Sequence, residues 1–230
     1  MCGIAGSIGL NPLDLKRAEA ALESLARRGP DAHGKWKGVI GSSAVSLLHT
    51  RLAIVDLDAR ANQPFEWDGC VLVHNGEIYN FIELRDELIA LGHSFKTKSD
   101  TEVIVHAYRQ WGPECVDRFE GMWAFGLADL RRHVLFLSRD RFGEKPLFLW
   151  PQGDALYFAS EVKALAAMKG QAPAVNLQQM RRYLVNGYKA LFKRPETFFD
   201  GVDELAPGCN LLLQTHHSGK PERYWSLSYA

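Results

Sequence analysis

The order of its secondary-structure signals limits the fold of this 230-residue chain more than any other feature. Strand-like runs dominate up to residue 79, two amphipathic helices follow one another directly, and strand-like runs then resume. Parallel strands need a crossover helix between them, so this order argues against βαβ units. It favours an α+β fold with layered antiparallel sheets. A first strand is expected over residues 3–8, followed by a helix in which Leu15, Ala18, Leu22 and Leu25 recur at helical spacing up to Gly29-Pro30. Residues 35–40 and 43–49 read as a hairpin about Gly41-Ser42. Residues 70–74 read as a short strand running into Asn75-Gly76, a turn signal. The adjacent helices are predicted over 80–91, with Phe81, Leu84, Leu88 and Leu91 on one face, and from Ser99-Asp100-Thr101 to Gly112-Pro113. A second hairpin follows over 122–129 and 134–138, then strands over 146–150 and 155–159. Ser160 is placed as the cap of a helix over 161–167, and Asn176 as the cap of one over 177–185. Farther on, only residues 210–213 form a convincing strand. We therefore expect a domain over 2–205 and, over 206–230, a connector in a chain cut from something longer.

Composition excludes several classes of function. Lys plus Arg and Asp plus Glu both number 27, which points away from nucleic acid and from anionic membranes as partners. No apolar run approaches the roughly 18 residues of a membrane span, and a cytoplasmic protein is expected. Cys2, Cys70, Cys115 and Cys209 form no Cys-x-x-Cys pair, and the histidines, including the adjacent His216 and His217, show no ligand spacing. Reduced thiols and no metal are the expectation.

Chemistry enters with Cys2. Once Met1 is removed, this residue carries a thiol and a free amine, with ordinary pKa values of about 8.5 and about 8, so one residue supplies nucleophile and base. The alternative is an arbitrary residue heading a buried strand. Asn75-Gly76 is either a plain turn or a pair of donors for a developing oxyanion. Glu77 and Asp100 lie at helices or their approaches and either cap backbone N–H groups or hold a cation. Arg51 opens an apolar stretch, as a surface charge or as a guanidinium for bidentate carboxylate recognition. One cation, two anions and two donors together describe a site for an amino acid whose side chain undergoes acyl transfer. His49 is assigned a structural hydrogen bond, Asp140 the bracing of a loop, and Trp36, Trp67, Trp123 and Phe125 packing roles.

Six blocks occur in one order: Cys2-Gly3-Ile4-Ala5-Gly6, Arg28-Gly29-Pro30-Asp31, His49-Thr50-Arg51-Leu52-Ala53-Ile54-Val55-Asp56, Asn75-Gly76-Glu77-Ile78-Tyr79-Asn80, Ser99-Asp100-Thr101-Glu102 and Arg139-Asp140-Arg141-Phe142-Gly143-Glu144-Lys145-Pro146-Leu147. With them the chain resembles the N-terminal glutaminase domain of the glutamine-hydrolysing asparagine synthetase family, a class II glutamine amidotransferase of the N-terminal-nucleophile hydrolase type. The resemblance implies a four-layer αββα sandwich of two antiparallel sheets. It implies Cys2 as nucleophile, Asn75 and Gly76 as oxyanion hole, and Arg51 with backbone groups of Leu52, Ala53, Ile54 and Val55 on the glutamine α-carboxylate. Glu77 and Asp100 are then expected on the α-ammonium. Glutamine is the implied substrate, and a C-terminal synthetase domain the implied ammonia acceptor, with homodimerisation open. ATP and Mg belong in that picture to the synthetase domain, and this chain is expected to hold no cofactor. The competing functions are an idle glutaminase-like docking module and a hydrolase of the same fold acting on another amide.

Overall fold

A computed structural model describes residues 1–192, 196–214 and 219–228; His216, His217 and the final Tyr229-Ala230 lie outside the described residues. Two six-stranded sheets, antiparallel throughout, stack face to face. The first has the order β10-β8-β9-β1-β3-β2, built from β1 (Gly3–Gly9), β2 (Ala32–Ile40), β3 (Ser43–Arg51), β8 (Phe148–Gln152), β9 (Ala155–Ala159) and β10 (Asp203–Glu204). The second has the order β12-β11-β7-β6-β5-β4, built from β4 (Phe65–Trp67), β5 (Cys70–Ile78), β6 (Gly121–Asp129), β7 (Val134–Arg139), β11 (Cys209–Leu213) and β12 (Glu222–Arg223).

Three apolar layers separate four layers of structure. Between the sheets, Ile4, Ile8, Val45 and Leu47 meet Val71, Val73, Ala124, Leu135 and Leu137. The outer face of the first sheet is covered by α1 (Leu15–Leu25) and α4 (Val162–Lys169), through Ala18, Leu22, Leu25, Leu165 and Met168. The outer face of the second is covered by α2 (Phe81–Ala90) and α3 (Asp100–Trp111), through Leu84, Leu88, Ile104 and Tyr108. Strands buried on both faces account for the long apolar runs, and helices buried on one face for the 3.6-residue period. This is the four-layer αββα sandwich of two antiparallel sheets expected above. The sheets approach closely where Phe158 of β9 lies opposite Gly6 of β1. A Cβ on Gly6 would stand 2.4 Å from Phe158 Cζ, and one on Gly126 of β6 would stand 3.0 Å from Phe158 Cε2. The ring therefore fills a gap that a glycine from each sheet leaves open.

The structure departs from the sequence reading in three places. Asn75-Gly76 makes no turn: β5 runs through it to Ile78, paired residue for residue with β6. A primed hairpin turn needs flanking strands that fold back on each other, and here the ladder to β6 keeps the backbone extended. Ser160 does not cap α4, whose N-cap position is Glu161. Its hydroxyl instead accepts from Ile4 N–H at 3.1 Å and ties the end of β9 to β1. The stretch over 206–230 is not a bare connector, because β11 lies along β7 with its ladder buried against the second sheet. The strand itself is the one expected over 210–213; what carries no local signal is its partner β7, far back along the chain. A fifth helix, α5 (Leu177–Asn186), is capped by Asn176, whose side chain accepts from Gln179 N–H at 2.9 Å.

Candidate active site

Cys2 stands one residue ahead of β1, at the end of a strand flanked by β9 and β3. Its backbone is fixed from α1: Arg28, just past that helix, donates Nε to Cys2 O at 2.8 Å and pairs with Glu161 at 3.0 Å. The sulfur lies 3.4 Å from Leu52 N, whose N–H donates to it. Burial pushes the Cys2 thiol above its ordinary pKa, and the Leu52 N–H and the Arg51 charge oppose the shift.

Arg51 ends β3 with 7% of its surface exposed. Its guanidinium donates to Asp58 O at 3.0 Å, to Asn62 Oδ1 at 2.6 Å and to Asp56 O. Three oxygens on the loop after β3 thus aim a rigid fork whose remaining N–H groups are left for a planar anion. The Asp56 carboxylate accepts from the N–H groups of Asp58 and Lys98, which hold it below the usual carboxylate range.

The facing wall is the unpaired side of β5. The three residues of β4 pair only with Cys70 to Leu72, so among the described residues the edge from Val73 onward meets no strand. In an extended strand alternate N–H groups point the same way. His74 N–H is taken by Gln63 Oε1 at 2.5 Å and Ile78 N–H by Asp100 Oδ2 at 3.1 Å. Gly76 N–H lies between them on the same side. A Cβ at Gly76 would stand 2.1 Å from Met122 O and 2.7 Å from Trp123 Cα, so only glycine fits this pairing with β6. Beside it, Asn75 is 1% exposed, yet neither Nδ2 nor Oδ1 has a partner among the described residues. Buried amides are normally bonded, and a site that leaves both atoms open is shaped for something external.

Asp100 does not cap α3. Ser99 caps α3, accepting from Thr101 N–H at 3.1 Å, while the Asp100 carboxylate turns to β5. Gln63 completes the frame by donating Nε2 to Thr101 Oγ1 at 3.2 Å, locking α3 to β5. His49 makes the structural bond expected of it, donating Nε2–H across the sheets to His74 O at 3.1 Å. Burial lowers its pKa to about 3, so it stays neutral.

One chamber is lined by Cys2, Arg51, Leu52, Ile54, Val55, Asn75, Gly76, Glu77 and Asp100. Ala53 stands apart: its N–H donates to Asp31 Oδ2 at 2.8 Å. Sequence reasoning missed Gln63, His74 and Lys145 as walls of the same chamber. Gln63 closed a polar loop and His74 sat within an apolar strand; neither carries a local signal. Lys145 gave one, a charged residue directly ahead of the apolar run from Pro146. Among the described residues no group of three His, Cys, Asp or Glu side chains could hold a metal ion. None of the described helices is long and apolar enough to cross a membrane.

A family profile describing the glutamine amidotransferase domain matches residues 1–225. The chain belongs to that family. As a glutamine amidotransferase domain it is 38% identical over 235 residues to "Asparagine synthetase [glutamine-hydrolyzing] 3" of Bacillus subtilis, covering 99% of this chain and 37% of the relative. It is 32% identical over 217 residues to "Amidase chry2" of Gibberella zeae, covering 94% of this chain and 31% of that protein. The chain thus spans about a third of the length of these relatives. Among solved structures, the glutamine phosphoribosylpyrophosphate amidotransferase of B. subtilis, complexed with ADP and GMP, matches with a TM-score of 0.69 at 20% identity. The match covers 97% of this chain and 49% of that one, and it shows the fold shared by this domain.

Proposed function

We propose that Cys2 hydrolyses glutamine to glutamate and ammonia through a γ-glutamyl thioester. The observation that carries this reading is the buried, unpartnered Asn75 amide, set beside Gly76 N–H in the chamber that holds Cys2. With Met1 removed, the thiol proton passes to the Cys2 amine as Sγ attacks the amide carbon. Asn75 Nδ2–H and Gly76 N–H take the charge that develops on the carbonyl oxygen. The C–N bond then breaks, the amine returns its proton to the leaving nitrogen, and ammonia departs. Water hydrolyses the thioester by the same route in reverse, freeing glutamate and the thiol. Arg51 receives the α-carboxylate, with backbone groups of Leu52, Ile54 and Val55 around it, and Asp100 with Glu77 receives the α-ammonium. The Ala53 N–H, engaged by Asp31, has no part in this.

The ammonia is assigned to an ATP-dependent amidation domain of the asparagine synthetase kind, on the strength of longer relatives bearing that name. ATP and Mg are assigned to that domain and to no residue of this chain. The experiment is intact mass of the purified protein together with a glutamate-release assay. Protein lacking Met1 is expected to release glutamate, and Cys2→Ala to release none while its Tm stays within about 2 °C of the parent. Processed protein that saturating glutamine leaves silent, with Cys2 inert to a glutamine-like electrophile, would sink the proposal.

A further inference from the structure

Glutamine accounts for most of the charge in the chamber. Arg51 faces its carboxylate, and Asp100 and Glu77 face its ammonium. Lys145 is left over. It is 6% exposed, it lines the chamber, and its ammonium has one partner among the described residues, Met1 Sδ at 3.4 Å. A thioether is a weak acceptor, and no carboxylate of the described residues lies within ion-pair distance of Lys145.

The loop that carries this lysine is built to hold it still. The Asp140 carboxylate accepts from the N–H groups of Phe142, Glu144 and Lys145, each at 3.0 Å. The guanidinium of Arg139 donates to the carbonyls of Lys145, Gly143 and Leu205 at 2.8, 2.7 and 2.6 Å. Both backbone polar groups of Lys145 are thus fixed, and its side chain reaches the first residue of the chain. A buried cation without an anion is costly, and such groups persist mainly where a site uses the field.

Several charged or titratable groups line this space or border it. Arg28 holds the Cys2 carbonyl from the end of α1, Arg51 closes β3, and Asp56 lies on the next loop. His74 and Glu77 stand on β5, and Asp100 opens α3. Arg28 is paired with Glu161, Arg51 is engaged by three oxygens, and burial together with the Lys145 charge lowers the His74 pKa. Lys145 is the cation of this set with neither an ion pair nor a proposed substrate group.

We propose that Lys145 is an electrostatic positioning residue for the nucleophile. Its ammonium favours the thiolate as Sγ gives up its proton and, once Met1 is gone, keeps the amine unprotonated until that proton arrives, so that the pair enters the attack sharing one proton near neutral pH. A positive charge in a partly desolvated site acts in this direction on both groups. The proposal rests on Cys2 being the nucleophile assigned above.

The test is the pH dependence of Cys2 alkylation by iodoacetamide in protein shown by intact mass to lack Met1. Cys70, Cys115 and Cys209 are buried, so the reaction reads Cys2. Lys145→Met is expected to raise the midpoint by about one pH unit and to slow the neutral-pH reaction about tenfold, while Lys145→Arg keeps the parent midpoint. Glutamine turnover follows, with kcat reduced and KM little changed. Lys145→Gln, shorter and polar, reports the same shift should Lys145→Met be recovered unfolded. Coincident midpoints for the parent and a neutral variant overturn the proposal. Alkylation needs no turnover, so the two readings fail separately. A parent that forms no glutamate but shows the Lys145-dependent midpoint loses the glutaminase assignment alone, and one that forms glutamate with no such dependence loses the role of Lys145 alone.

Discussion

On the wall supplied by the first sheet, Arg51 gives its N–H groups to three oxygens, and the Cys2 backbone is held by Arg28. On the facing wall, Asn75 finds no partner among the described residues for either atom of its amide, although it is buried as deeply as the core. On the first wall most polar groups place one another; on the second, the N–H groups of His74 and Ile78 are tied down and the Asn75 amide is held in reserve. Stability and function should therefore separate by wall. Changes on the first sheet should cost both, and changes on the second should cost chemistry alone.

The largest effect is expected from Arg51→Ala. It removes the carboxylate grip and strands the carbonyls of Asp56 and Asp58. Hydrogen bonds to a charged group contribute about 1.5–3 kcal/mol each and do not add fully, so a loss of about 3 kcal/mol in urea unfolding is expected. A fall of more than about a thousandfold in kcat/KM for glutamine should accompany it. If activity disappears while stability is unchanged, the first wall is not the scaffold described. Asn75→Ala comes next. Loss of one oxyanion donor should lower kcat by about 10²–10³-fold. Unfolding free energy should hold or rise, since two unpaired buried atoms are removed. A clear destabilisation would mean that the amide already has a partner and that the contrast between the walls is false.

The effect that vanishes at neutral pH concerns the bond joining the walls. His49 has a folded-state pKa of about 3 against an ordinary value of about 6.5, so the unfolded chain binds the extra proton first. Stability unaffected above about pH 6.5 should decline as pH falls below it, down to about 3. His49→Gln, which can still donate to His74 O, should flatten that decline in pH-dependent thermal melts. An unchanged slope would place the acid sensitivity elsewhere.

Much of this was legible in the sequence. The adjacent helices announced the α+β layering, and nine of the ten residues expected at the site line one chamber, Ala53 being the tenth. What was hidden was long-range. Asn75-Gly76 has the local chemistry of a turn, and a strand results because β6 pairs with it from more than forty residues away. Gln63 and Lys145 reach the site through loops whose shape depends on partners such as Thr101 and Asp140. No spacing rule carries that information. β11 itself was legible as a strand, but not its place in the second sheet, since its partner β7 lies far back along the chain.

Phe158 gives the sandwich a further property. With Gly6 of one sheet and Gly126 of the other pressed against its ring, this side chain acts as a shim whose thickness sets how far apart the two walls stand. Cys2 belongs to one of those walls, and Asn75 and Gly76, the proposed oxyanion donors, to the other. In the proposed reaction the reach of the sulfur to the amide carbon is thus gauged by an aromatic ring in the interior that does not line the chamber. A thinner side chain there would leave every residue of the site in place and still alter the fit between nucleophile and donors.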